Sequence, residues 1–85
     1  CERGAGARFV SDGTGERGGR LPVNPSGGLL SKGEPLGASA LGQIVELTWQ
    51  LRGTAERRQV PGARLALGHT VGRGANASVV LLRRD

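Results

Sequence analysis

Eighty-five residues with sixteen glycines, one Phe and one Trp leave room for one small domain with a marginal core. Cys1 is the only cysteine, so no disulfide braces the chain, and no Cys/His cluster has the spacing of a metal site. The net charge of +5 is spread as single and paired arginines without aromatic platforms between them, which argues against a binder of single-stranded nucleic acid.

No apolar run approaches the ~18 residues of a membrane span, and no charged-then-apolar leader opens the chain. The expectation is a cytoplasmic setting, with neither membrane nor nucleic acid as partner. Opening on Cys1 without a Met, the sequence reads as part of a longer one. Residues 1–20 are glycine-rich and polar, with Phe9-Val10 as their one apolar point, and predict a solvated loop or loose hairpin arm. Residues 21–85 form the core portion. Leu21-Pro22-Val23-Asn24 reads as a short strand whose proline favours an edge.

Pro25 to Gly37 predicts a long irregular loop, stiffened by two prolines and carrying Gly27, Gly28, Gly33 and Gly37. Such a loop is uncommon in a compact domain unless it serves a site. From about Leu36 to Arg52 the period becomes helical. Leu41, Ile44, Val45, Thr48 and Leu51 follow the i, i+3, i+4, i+7 pattern, and Leu47 and Trp49 widen the stripe. Ser39 is a candidate N-cap, although Pro35-Leu36 could start the first turn earlier, and Gly53 is the expected stop. Thr54 to Arg58 is a polar connection and Val60-Pro61-Gly62 a turn. Ala63 to Gly68 and Ala77 to Leu82 read as two strands, joined by a second glycine loop from His69 to Asn76 and most simply antiparallel.

The stretch Val23-Asn24-Pro25-Ser26-Gly27-Gly28, continued by Lys32-Gly33-Glu34-Pro35-Leu36-Gly37-Ala38, resembles the thiolase superfamily. Its nearest branch is the sterol-carrier-protein-x type thiolases and their bacterial relatives, where Gly-Gly leads through Lys-Gly-His-Pro-Leu-Gly-Ala into a long helix. Glu46-Leu47, Trp49-Gln50, Leu51-Arg52-Gly53 and Arg58-Gln59-Val60-Pro61-Gly62-Ala63 continue the likeness, so it runs from end to end. The resemblance implies an α/β fold over residues 1–85. The chain would be a piece of a thiolase C-terminal half-domain ordered strand–helix–strand–strand, with its last two strands antiparallel. The first strand would border neighbours upstream of Cys1, leaving exposed sheet edges in the piece.

In that family the His of Gly-His-Pro lies beside a nucleophilic cysteine from the first half and helps line an oxyanion hole. The matching residue here is Glu34. An imidazole can donate a hydrogen bond to an oxyanion, whereas an ionised carboxylate only accepts. Burial could keep Glu34 protonated; otherwise general-base work suits it better. His69, the only histidine, fits the His-containing final loop of the same branch, which places it near the pocket without assigning it proton transfer. Gly27, Gly28, Gly33, Gly72 and Gly74 would let loop backbone approach the thioester and its pantetheine arm. Ser26 has no base at a recognisable spacing, and Cys1 lacks a Cys-x-Ser context, so neither is a nucleophile candidate.

The resemblance implies part of an acyl-CoA enzyme of lipid metabolism, an acetyl-CoA acetyltransferase type acyltransferase or a carbon–carbon lyase. Coenzyme A thioester would be its substrate, with no resident cofactor. The nucleophile would lie in the missing N-terminal part, leaving this piece inactive alone. Homo-oligomerisation and a partner subunit with an OB-fold and zinc ribbon are further implications. A non-catalytic acyl-CoA-binding or assembly module of the same fold is the alternative.

Overall fold

The computed structural model describes residues 1–72 and 74–85. Arg73, counted above in the second glycine loop, lies outside the described residues. In chain order come helices α1 (Gly6–Ser11), α2 (Gly28–Lys32) and α3 (Ser39–Arg52), a 3₁₀ turn (Glu56–Arg58), and strands β1 (Leu65–Val71) and β2 (Ala77–Arg83). The fold is α/β, with two antiparallel strands under one long helix.

The stretch Leu21–Asn24 is not a strand, which corrects the expected element order. A strand needs a neighbour along its ladder, and among the described residues this one finds two bonds. The Leu21 amide donates to the Thr14 carbonyl at 3.0 Å, and the Val23 amide to the Gly15 carbonyl at 2.9 Å. The preceding arm is also more ordered than a loop. Its α1 sets the half-buried Phe9 ring against Gly15, where an added Cβ would stand 3.0 Å from the ring edge. The Arg17 guanidinium donates to the Arg57 carbonyl, tying the arm to the 3₁₀ turn.

Helix α3 starts one residue before a cap at Ser39 would have allowed. Ala38 holds the cap position with no side-chain hydrogen bond, and Ser39 is already helical. The Pro35 carbonyl launches the turn by accepting from the Ala38 and Ser39 amides at 3.2 Å each. Gly53 ends it at φ +75°, a torsion that L side chains resist. There the Gly53 amide donates to Gln50 and the Thr54 amide to Trp49, which satisfies two orphan carbonyls.

Strand β1 extends through His69 to Val71, so His69 lies in the strand and not in the loop. The register runs from Leu65 opposite Arg83 to Val71 opposite Ala77. Bonds from the Arg84 amide to Arg64 (2.9 Å) and from the Gly72 amide to Asn76 (2.8 Å) mark the two ends of the ladder. Counting by twos between them, the amides and carbonyls of residues 66, 68 and 70 face β2. Those of 65, 67, 69 and 71 face the open edge.

Helix α3 packs on the sheet face presented by Ala66, Gly68, Thr70, Val80 and Leu82. Gly68 is the close point: an added Cβ would stand 3.2 Å from Leu47 Cδ1 and 3.4 Å from Gln43 Oε1. A Gly68→Val substitution adds bulk where the helix has no room, and is expected to cost about 1–2 kcal/mol, read as a lowered urea midpoint. On the opposite face Leu65, Leu67, Val71, Val79 and Leu81 remain 59–67% exposed.

The helix is rotated from the simplest reading of its apolar stripe. Leu41, Val45 and Trp49 point outward, while Glu46, Gln50 and Leu51 are buried with Ala55. The cause is the chain after Gly53, which folds back over the helix as a polar clasp. Arg58 grips Glu46 with two nitrogens, Nε and Nη2, at 3.0 and 3.1 Å. Gln50 donates to the Arg58 carbonyl at 2.9 Å and accepts from the Val60 amide at 2.8 Å. Gln59 returns a bond to the Gln50 carbonyl at 2.8 Å, and the Arg58 guanidinium lies 5.8 Å from the Trp49 ring centre. Buried polar groups that satisfy one another in this way stabilise a loop without a large apolar core. Among the described residues, no helix is long and apolar enough to cross a membrane.

Candidate active site

The Pro25–Gly37 loop contains a single short helix. Asn24 enters it at φ +50°, and the Gly27 amide donates back to the Asn24 carbonyl at 2.8 Å. Gly27 and Gly28 both have positive φ. A Cβ on the first would overlap Ser31, and one on the second would crowd the Asn24 amide at 3.1 Å. Glycine is therefore demanded twice by torsion and by space. Helix α2 closes with the Gly33 amide on the Leu29 carbonyl at 2.7 Å. Gly33 then turns out at φ +76° and ψ 178°, which delivers Glu34 to the surface just before Pro35.

Glu34 and His69 line the same cleft. It holds about 590 Å³ and runs between α2, the first turn of α3 and the β1–β2 hairpin end. Leu29, Ser39 and Gln43 form its helical wall, and Thr70, Gly72 and Asn76 contribute to the hairpin wall. Glu34 is exposed at the edge of the cleft. Gly68 directs its missing side chain at α3. By alternation the His69 imidazole leaves the strand on the other face, beside Leu67 and Val71. The bond that joins His69 to the helical wall is made by its main chain, whose carbonyl accepts from Gln43 Nε2 at 3.3 Å.

The predicted glycines divide between two places. Gly27, Gly28 and Gly33 shape the loop that carries Glu34. Gly72 lines the cleft at the end of β1, and Gly74 sits in the hairpin turn at φ +77°. Sequence reasoning passed over Ser39 and Gln43. Their signal was available: spaced by four, they share a helix face one turn beyond Gly33-Glu34-Pro35. Among the described residues, no group of three or more His, Cys, Asp or Glu could hold a metal ion.

A smaller hollow of about 250 Å³ lies at the other end of α3, between Thr48, Leu51 and Arg52 of the helix and Leu82, Arg83 and Arg84. Two of its three arginines are engaged. Arg84 donates to the Leu51 carbonyl at the negative end of the helix, at 3.3 Å, and Arg83 pairs with Asp85 at 3.1 Å.

The long helix over an antiparallel pair, entered through a glycine loop that presents one residue between Gly and Pro, defines a thiolase-type C-terminal segment. Residues 1–84 match the family described as thiolase C-terminal domain-like, and the chain belongs to that family. It is 54% identical over 83 residues to sterol carrier protein 2 of Rattus norvegicus, covering 98% of this chain and 15% of that protein. It is 46% identical over 84 residues to an acetyl-CoA acetyltransferase of Methanothermobacter thermautotrophicus, with 98% and 22% covered. Benzoylsuccinyl-CoA thiolase subunit BbsB of Thauera aromatica is 41% identical over 78 residues, with 91% and 20% covered. The chain thus spans roughly a seventh to a fifth of the length of these curated relatives.

Proposed function

We propose that the chain is the C-terminal part of a thiolase-like acyl-CoA enzyme of lipid metabolism, and that Glu34 acts there as a general base. The observation that carries this reading is the setting of Glu34. Backbone torsion at Gly33 and the ring of Pro35 hold it at the mouth of a cleft bounded by a second glycine loop. Relatives named as an acetyl-CoA acetyltransferase and a benzoylsuccinyl-CoA thiolase support the substrate class. The residues that complete the site, including a thiol nucleophile where one is used, belong to the rest of the protein.

The chemistry that suits a carboxylate here is retro-aldol cleavage of a 3-hydroxyacyl-CoA. Glu34 takes the proton of the 3-hydroxyl, the C3–O bond becomes a carbonyl, and the C2–C3 bond breaks. Its electron pair passes to C2 and the thioester enolate. Glu34, now a neutral acid, no longer repels that enolate and can return the proton to C2. The test uses the complete reading frame that contains this chain, assayed with 3-hydroxyacyl-CoA and, separately, with 3-ketoacyl-CoA plus free CoA. Cleavage of the first is expected. Rapid CoA-dependent cleavage of the second would sink the retro-aldol assignment.

His69→Ala is expected to leave kcat and KM within about threefold of the parent, because the bond to Gln43 is made by the carbonyl and strand alternation sends the ring to the other face. A larger loss in steady-state kinetics would show that the imidazole turns into the site. A second reading, a non-catalytic binding or assembly module, draws on the uncovered apolar faces of α3 and the sheet. A Cys-x-Ser upstream in the frame, together with turnover, would exclude it.

A further inference from the structure

Between the two walls of the cleft stands one side chain that bridges them. Gln43 lies one turn into α3, on the same face as Ser39, so it moves with the helix that continues directly from Glu34 and Pro35. From there its Nε2 donates to the His69 carbonyl, 26 residues away, at 3.3 Å.

That carbonyl belongs to the set facing the open edge of β1, since the ladder bonds to β2 fall on the even-numbered residues. Within the described residues, the acceptor at His69 is met by Gln43 in place of a strand partner. Gly68 brings helix and strand close beside this bond: an added Cβ there would stand 3.4 Å from Gln43 Oε1, in van der Waals contact with the amide.

We propose that Gln43 is a positioning residue, which sets the separation of the Glu34 wall from the His69 wall by tying α3 to the open edge of β1. It touches no reacting atom. It acts by keeping the carboxylate and the hairpin loop in register across the cleft, where a misplacement of about an ångström is enough to slow a reaction between held groups. This inference rests on the reading of the cleft as the active site.

The test compares Gln43→Met, Gln43→Lys and Glu34→Gln in the complete protein, with 3-hydroxyacyl-CoA as probe. Methionine matches the reach of glutamine and removes the donor; lysine returns one. Gln43→Met is expected to lower kcat about tenfold with KM and the thermal midpoint nearly unchanged, and to speed amide exchange in peptides covering 68–72. Gln43→Lys is expected to recover part of kcat. If Glu34→Gln is damaging and Gln43→Met is silent, the inference falls and the active-site reading stands. Silence of both variants overturns the two together. A loss in Gln43→Met that follows a fallen thermal midpoint, with no recovery in Gln43→Lys, would reduce the residue to a packing role and also overturn the proposal.

Discussion

Glu34→Gln in the complete protein is expected to lower kcat about 10²–10⁴-fold while KM changes little, because the amide keeps the shape and loses the base. Gly33 and Pro35 fix the backbone on either side, so the substitution changes chemistry without moving the loop. Steady-state kinetics on a 3-hydroxyacyl-CoA read this loss directly. Glu34→His is the complementary experiment. An imidazole can donate to an oxyanion where a carboxylate cannot, so this variant is expected to gain CoA-dependent cleavage of 3-ketoacyl-CoA as it loses retro-aldol activity. A Glu34→Gln protein with undiminished turnover would remove the carboxylate from the mechanism.

Glu46→Ala is expected to be the most destabilising single change among the polar residues, at about 2 kcal/mol, measured as a lower urea midpoint in the complete protein. Glu46 is 7% exposed and accepts from two nitrogens of Arg58 and from Gln50. Burial pushes its carboxyl upward, but those hydrogen bonds and the Arg58 charge outweigh burial and hold it below the ordinary value of 4.5. The unfolded chain therefore binds this proton more readily than the folded one. The stabilisation is full above about pH 4.5 and fades as pH falls through the lowered folded value. Glu46→Gln should flatten that acid limb of the stability–pH curve, and an unchanged limb would show that other carboxylates set it.

The helix was the most legible element, because fourteen residues of 3.6-residue period followed by a glycine in a left-handed torsion leave little freedom. The two strands were legible as a β-branched and leucine run and its antiparallel neighbour, although the first runs three residues past its expected end and takes in His69. The short helices α1 and α2 were not. Five or six residues carry too little periodicity to announce a turn that local backbone bonds then close. Leu21–Asn24 failed in the other direction, since its composition suits a strand but the described chain offers it no ladder.

Legibility at the site was uneven for a similar reason. Torsion requirements are written in the glycines, so Gly27, Gly28 and Gly33 could be read as a shaped loop. The bridge from Gln43 to His69 joins residues 26 apart and depends on which edge of β1 is open, and no local pattern records that. The burial of Glu46 and Gln50 in place of Val45 and Trp49 likewise followed from a loop that folds back after the helix.

The uncovered faces bear on when the site can exist. Among the described residues, Leu51 and Ala55 are the buried hydrophobic ones, while apolar side chains stand open on the outer side of α3 and the far side of the sheet. A segment that hides so little apolar surface contributes little driving force toward its own order. In a longer chain, its folding would be cooperative with whatever closes over those faces. The Glu34 loop and the hairpin would then acquire their spacing at the same moment as the rest of the protein. An incomplete product would display sticky surface and an unassembled cleft together. The same exposed leucines and valines that weaken the segment would thus delay the chemistry proposed for Glu34 until the protein is whole.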